Sequence, residues 1–182
     1  YPDKRTFENI KESINWKNVK IDNDIIRLEN NASITLNGIA QGWITDNIIK
    51  ILRKNNINNT LVDFGETFAS GKHENNRPWN ILLKGSNNAN KIIQLTNKAV
   101  ATSSSNGTIF EPTKKYHHIF NPKTGLSESS YDTVSIVSNK AWIADSIATS
   151  ALLISDKNLE MVCNEFNANA FIMKDNNFLK II

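Results

Sequence analysis

Few residues in this chain combine type and spacing in a way that does chemistry. Asp145 and Thr149 stand four apart in Ala144-Asp145-Ser146-Ile147-Ala148-Thr149. On a helix that spacing sends a carboxylate and a hydroxyl from the same face, flanked by small alanines. An all-oxygen pair suits a hard cation such as Mg²⁺, which takes oxygen ligands in near-octahedral geometry and keeps positions open for phosphate oxygens. Spacing alone is explained more simply by Asp145 capping the helix while Thr149 packs beside it. Tyr116-His117-His118-Ile119 holds two consecutive histidines. On a strand they face opposite ways, so one of them at most serves a given cleft. A neutral imidazole can take a hydroxyl proton, and a histidine can equally be a core or surface residue; adjacent histidines do not form a helical metal pair.

Gly38, Gly42, Gly65, Gly71 and Gly107 fall at strand ends or in loops, where backbone amides could approach a phosphate. They form neither a Walker loop nor a GxGxxG fingerprint, and ordinary turns account for most of them. Thr102-Ser103-Ser104-Ser105-Asn106-Gly107 reads as a polar turn, since no GxSxG elbow accompanies it.

The elements that must position these groups follow from periodicity. Thr6 is placed to cap a short helix carrying Phe7, Ile10 and Ile14, and Val19–Ile21 with Ile25–Leu28 form a hairpin around Asp22-Asn23-Asp24. Ile34–Leu36 lead through Asn37-Gly38 into a helix from about Gln41 to Arg53 with Ile44, Ile48, Ile51 and Leu52 at helical spacing. Strands are expected at Leu61-Val62, running to Asp63-Phe64-Gly65, and at Trp79–Leu83, Lys91–Leu95, Ala99–Thr102, Tyr116–Phe120 and Thr133–Val137. Helices are expected at Ala144–Leu153 and Lys157–Phe166, the latter with Leu159, Val162, Cys163 and Phe166 inward. A closing hairpin joins Ala170–Lys174 to Phe178–Ile182 through Asp175-Asn176-Asn177. Asn-rich stretches, such as Asn87-Asn88-Ala89-Asn90, serve as turns. Strands with interspersed helices and no strict βαβ alternation give an α+β class with mixed or antiparallel sheets.

Composition narrows the function classes. At 182 residues, 40% hydrophobic and 21% charged, the chain has the make-up of a globular domain, either alone or with a small lobe. A net charge of +3 without a dense basic run, aromatic-basic interleaving or zinc-knuckle cysteines disfavours nucleic acid. Cys163 is the single cysteine, so no intramolecular disulfide forms. No apolar run approaches bilayer length, and Tyr1-Pro2-Asp3-Lys4 does not read as a signal peptide, although a processed precursor would have lost one.

In order along the chain, Ile34-Thr35-Leu36-Asn37-Gly38-Ile39-Ala40-Gln41-Gly42, Leu61-Val62-Asp63-Phe64-Gly65-Glu66 and Ala99-Val100-Ala101-Thr102-Ser103 are followed by two more blocks. These are Tyr116-His117-His118-Ile119-Phe120-Asn121-Pro122-Lys123-Thr124-Gly125 and Ala144-Asp145-Ser146-Ile147-Ala148-Thr149. Five blocks in this order, over nearly the whole chain, resemble the ApbE family of FAD:protein FMN transferases, once described as thiamine-biosynthesis lipoproteins. The resemblance implies a T-fold-like core and one domain over residues 1–182, a C-terminal part of a longer family architecture. It implies Mg²⁺-dependent transfer of the FMN half of FAD to a threonine hydroxyl, with AMP leaving. The acceptor would be a flavoprotein subunit of the membrane redox pump type, outside the cytoplasmic membrane, and the enzyme would be periplasmic with a lipid anchor upstream. A noncatalytic FAD-binding or assembly module, and a pyrophosphatase giving FMN and AMP, are the alternatives.

By matched position the resemblance makes Asp145, Thr149 and the Gly38 carbonyl the metal ligands and His118 the general base. Ile119 would line the flavin or diphosphate side, and Thr35 and Gln41 fall at FAD-contact positions. The family usually has Asp at Thr35, Lys or Glu at Gln41, and a second Gly at Glu66. A neutral group in place of an ion removes a charge-assisted hydrogen bond and weakens or alters FAD binding.

Overall fold

The computed structural model describes residues 4–85, 89–113, 116–174 and 177–180. Among these residues, ten strands and four α-helices follow in chain order: α1 (Lys4–Ser13), β1 (Val19–Asp22), β2 (Ile25–Leu28), α2 (Ala40–Lys54), β3 (Thr60–Asp63), β4 (Thr67–Ser70), β5 (Trp79–Lys84), β6 (Asn90–Leu95), β7 (Lys98–Ser104), β8 (Thr133–Ser138), α3 (Ala141–Ala151), α4 (Asp156–Glu165), β9 (Asn169–Lys174) and β10 (Asn177–Lys180). The α+β class holds. Six strands form one sheet in the order β10-β9-β8-β7-β4-β3, antiparallel throughout, and β1-β2 and β5-β6 form separate antiparallel hairpins.

The large sheet is covered on both faces, which is why β8 is buried at every residue. Alternation on β7 assigns the sides. Ala101 joins Val134 and Ile136 of β8 under Ala144, Ile147 and Ala148 of α3 and Leu159 and Cys163 of α4. Ala99 packs with Phe68 of β4, Ile49 of α2 and Ala141. Val100 faces the other way, against Ile81, Leu83, Ile93 and Leu95 of the β5-β6 hairpin. The alanines of α3 let it lie close to the sheet, so Ser103, two residues beyond Ala101, also faces this helix.

Several expectations are corrected. β4 was hidden because its sequence, Thr-Phe-Ala-Ser, is short and weakly apolar, while Leu61 on the edge strand β3 is exposed. Tyr116–Phe120 is not a ladder strand; it makes isolated bridges, Ile109 with His117 and Phe120 with Ser127. On α2 the buried stripe is Gly42, Thr45, Asp46 and Ile49, with Ile51 exposed. Phe166 is also exposed, because α4 ends at Glu165. Helix α1 already includes Lys4, so Thr6 lies within it rather than at its cap. The expected turn at Asp175-Asn176 and part of that at Asn87-Asn88 lie outside the described residues. Among the described residues, no helix is long and apolar enough to cross a membrane.

Candidate functional site

The site begins where α2 and α3 touch. The first two amides of α3 are held by a carboxylate from the neighbouring helix: Asp46 accepts the Ala141 N–H at 3.0 Å and the Trp142 N–H at 3.2 Å. Asp46 therefore caps α3, and Asp145, the fifth residue of that helix, does not. Gly42 permits the contact, since a Cβ there would stand 2.5 Å from the Ala141 carbonyl oxygen and 2.6 Å from Trp142 Cα.

With α3 so placed, the buried Asp145 carboxylate accepts the Gly42 N–H at 3.0 Å. One turn on, Thr149 Oγ1 lies 3.3 Å from Ser103 Oγ on β7. The turn before α2 brings in Gly38, whose backbone lies against the same hydroxyl; a Cβ there would be 3.4 Å from Thr149 Oγ1. Residues 38, 103 and 149 thus meet from a loop, a strand and a helix, with Asp145 one helical turn away.

Glu66 completes the cluster. It is 7% exposed, and its carbonyl accepts from Thr45 Oγ1 at 3.4 Å. Burial, then the Asp145 charge, push its carboxyl up to about 8, against the lowering effect of the Thr102 amide; Asp63 adds a smaller push upward. Burial also raises Asp145, opposed by the Gly42 N–H. Neither carboxyl has an ion pair with Lys, Arg or His among the described residues. Two neighbouring buried carboxyls without a basic partner must hold protons or a cation. The surrounding side-chain donors, the Asp145 carboxylate and the Thr149 and Ser103 hydroxyls, are all oxygen, and fit a hard divalent ion such as Mg²⁺. Among the described residues no three His, Cys, Asp or Glu converge. An ion here would therefore draw on hydroxyl, carbonyl and substrate oxygens.

The histidines separate as expected of an extended segment: His117 and Ile119 point inward, His118 and Phe120 outward. His117 accepts the Ile119 N–H on Nδ1 at 3.3 Å, and burial, followed by the charge of His118, lowers its pKa. His118 Nδ1 lies 3.2 Å from the Thr108 carbonyl, which can only accept. Nδ1 therefore carries the proton of the neutral ring, and Nε2 keeps its lone pair. Gly107 borders the ring; a Cβ there would be 3.3 Å from Cε1. The Ile119 side chain is 9% exposed and belongs to the core with α3 and α4, so its packing anchors the His118 backbone.

Thr35 and Gln41 are exposed. Thr35 Oγ1 accepts the Asn37 N–H at 3.3 Å, shaping the turn that carries Gly38. The Gln41 amide covers Gly65, whose φ of 85° is a left-handed turn; a Cβ there would be 2.4 Å from Gln41 Nε2. Sequence reasoning missed Asp46 and Ser103. The only signals were a lone acid inside an apolar helical pattern and a serine continuing the alternation of β7.

The ApbE family model matches residues 1–172. The FAD:protein FMN transferase of Chlamydia pneumoniae is 30% identical over 167 residues, covering 87% of this chain and 52% of the relative. That of Treponema pallidum is 27% identical over 148 residues, covering 73% of this chain and 41% of the relative. The chain thus spans about half the length of the curated relatives it matches. Among solved structures, the ApbE protein of Thermotoga maritima superposes with a TM-score of 0.82 at 27% identity, over 94% of this chain and 59% of that one. The flavin transferase ApbE of Vibrio cholerae gives 0.82 at 20% identity, over 98% and 60%, and shares the fold.

Proposed function

The chain belongs to the ApbE family, and on that premise we propose that it carries the transfer centre of an FAD:protein FMN transferase. In this reading a threonine hydroxyl of an acceptor flavoprotein attacks the FMN-side phosphorus of FAD. The new bond joins threonine Oγ to phosphorus, the diphosphate P–O bond to the AMP half breaks, and AMP leaves with the bridging oxygen. Transfer of this kind needs alignment and charge stabilisation more than covalent chemistry from the protein. Asp145, Thr149 and the Gly38 carbonyl would hold Mg²⁺, which supplies neutralisation of the diphosphate charge. The Thr108 carbonyl holds His118 in the Nδ1–H form, so Nε2 takes the threonine proton. Thr35 and Gln41 border the nucleotide as neutral hydrogen-bonding groups. The acceptor class we infer is a flavoprotein subunit of a membrane redox pump, met outside the cytoplasmic membrane.

One observation carries this reading: Gly38, 111 positions from Thr149 in the chain, is placed so that a Cβ on it would stand 3.4 Å from the Thr149 hydroxyl, one helical turn from the buried Asp145. The test is incubation of the folded chain with FAD, Mg²⁺ and a threonine-bearing acceptor, followed by intact-mass measurement. An FMN adduct on the acceptor is expected, and a folded protein that gives none contradicts the proposal. A second reading, hydrolysis of FAD to FMN and AMP, is favoured by the exposure of His118, which lets water reach Nε2. AMP released at the same rate with and without acceptor, and no adduct, would select it.

A further inference from the structure

A hydroxyl on a helix ordinarily turns back to the carbonyl four residues earlier. Helix α3 does this twice: Ser146 Oγ donates to the Trp142 carbonyl at 2.8 Å, and Ser150 Oγ to the Ser146 carbonyl at 2.9 Å. Thr149, between them in sequence, has its Oγ1 3.3 Å from Ser103 Oγ across the helix–sheet interface. Ser103 stands on a firmly held stretch of β7. It pairs with the fully buried Val134 in the β7–β8 ladder. Its neighbours are tied down as well: Thr102 Oγ1 lies 2.8 Å from Ser135 Oγ, and Ser104 Oγ donates to the Asp132 carbonyl at 2.8 Å. A threonine hydroxyl has one proton and two lone pairs, so the partner that takes the proton decides how the lone pairs face.

We propose that Ser103 is a positioning residue for the cation site: its Oγ accepts the Thr149 O–H, which leaves the lone pairs of Thr149 Oγ1 free to ligate. The inference rests on Thr149 as a metal ligand, as argued above. Ser103 serves the site from behind Thr149 rather than by touching the ion. Without it, the Thr149 proton returns to the Asp145 carbonyl four residues earlier, the kind of partner that Ser146 and Ser150 take, and the ligand oxygen turns with it. The hydroxyl stays satisfied, so the fold loses little while the ligand is misaimed. Partners that orient a metal ligand in this way are worth about 10–100-fold in metal affinity.

The test compares Mn²⁺ affinity in the presence of FAD, read from the free-ion electron paramagnetic resonance signal, with melting in EDTA as the measure of folding. Ser103→Ala is expected to bind Mn²⁺ about tenfold more weakly at an unchanged melting temperature. Ser103→Cys keeps the volume and offers only a weak acceptor, so it should lose affinity likewise, and either variant suffices. Ser103→Thr keeps the hydroxyl and should bind as the wild type does. Because Ser103 acts through Thr149, the double variant Ser103→Ala/Thr149→Val should bind no more weakly than Thr149→Val alone. Undiminished binding by Ser103→Ala overturns the proposal, as does a Ser103→Thr variant no better than Ser103→Ala. A further loss in the double variant also overturns it, since Ser103 would then be a ligand in its own right. These failures, with Mn²⁺ still taken up by the wild type and weakened by Thr149→Val, remove only the role of Ser103. No uptake by the wild type, or undiminished uptake by Thr149→Val, removes the metal reading itself and the proposal with it.

Discussion

Replacing Glu66 by Gln should make the metal-free protein more stable at alkaline pH and leave it unchanged in mild acid. In the folded chain, burial and the neighbouring Asp145 raise the Glu66 carboxyl from 4.5 to about 8, whereas the unfolded chain titrates near the ordinary value. Between those two values the native state binds more protons than the unfolded state, so stability falls as pH rises and levels off above about 8. Each unit corresponds to about 1.4 kcal/mol. Discounted for partial solvent screening, the group costs the wild type about 3 kcal/mol by pH 9. Glutamine keeps the shape and an acceptor for the Thr102 amide without carrying a charge. Urea denaturation in EDTA should therefore give a difference between variant and wild type near zero at pH 4.5, growing to about 3 kcal/mol in favour of the variant at pH 9. A difference that does not change with pH would refute the placement of Glu66 as an uncompensated buried acid beside Asp145.

Other consequences concern how the site is held. Asp46→Ala leaves the first two amides of α3 without their acceptor and should cost about 2–3 kcal/mol by denaturant titration, with Asp46→Asn retaining part of it. Gly42→Ala drives a methyl into the Ala141–Trp142 backbone and should destabilise by about 1–3 kcal/mol. By separating α2 from α3 it should also weaken metal binding, as read by a smaller Mg²⁺-induced rise in melting temperature. Gly107→Ala presses on the His118 ring and should lower the rate of AMP release with little effect on stability, measured by single-turnover kinetics and thermal melts.

What the chain order showed, and what it concealed, has a physical pattern. The β5, β6 and β8 strands and both C-terminal helices were legible because apolar residues recur at the period of their element, and the bounds differ by only a few residues. The inward face of α2 was not legible. Gly42, Thr45 and Asp46 face a partner helix through close backbone contact and hydrogen bonds, whereas exposed Ile51 falls at the spacing that reads as inward. Of the candidate site, the Asp145–Thr149 spacing could be read from the sequence, but its geometry left capping open. Only the structure assigns the cap to Asp46, 99 positions earlier. The alternation of His117 and His118 was legible from extended geometry. The bond that fixes the His118 tautomer was not, because Thr108 lies in a loop without periodic pattern. Ser103 looked like part of a polar turn because the strand β7 runs two residues past Thr102.

The proposed FMN transfer depends most on one divalent ion being shared by Asp145, Thr149 and Gly38. Binding of Mn²⁺ in the presence of FAD, followed by loss of the free-ion electron paramagnetic resonance signal, tests this directly in wild type and Asp145→Ala, with circular dichroism establishing that both are folded. One equivalent of Mn²⁺ taken up by the wild type, displaced by Mg²⁺ and lost in the folded variant, is the predicted result. Undiminished uptake by Asp145→Ala, or none by the wild type, would contradict it.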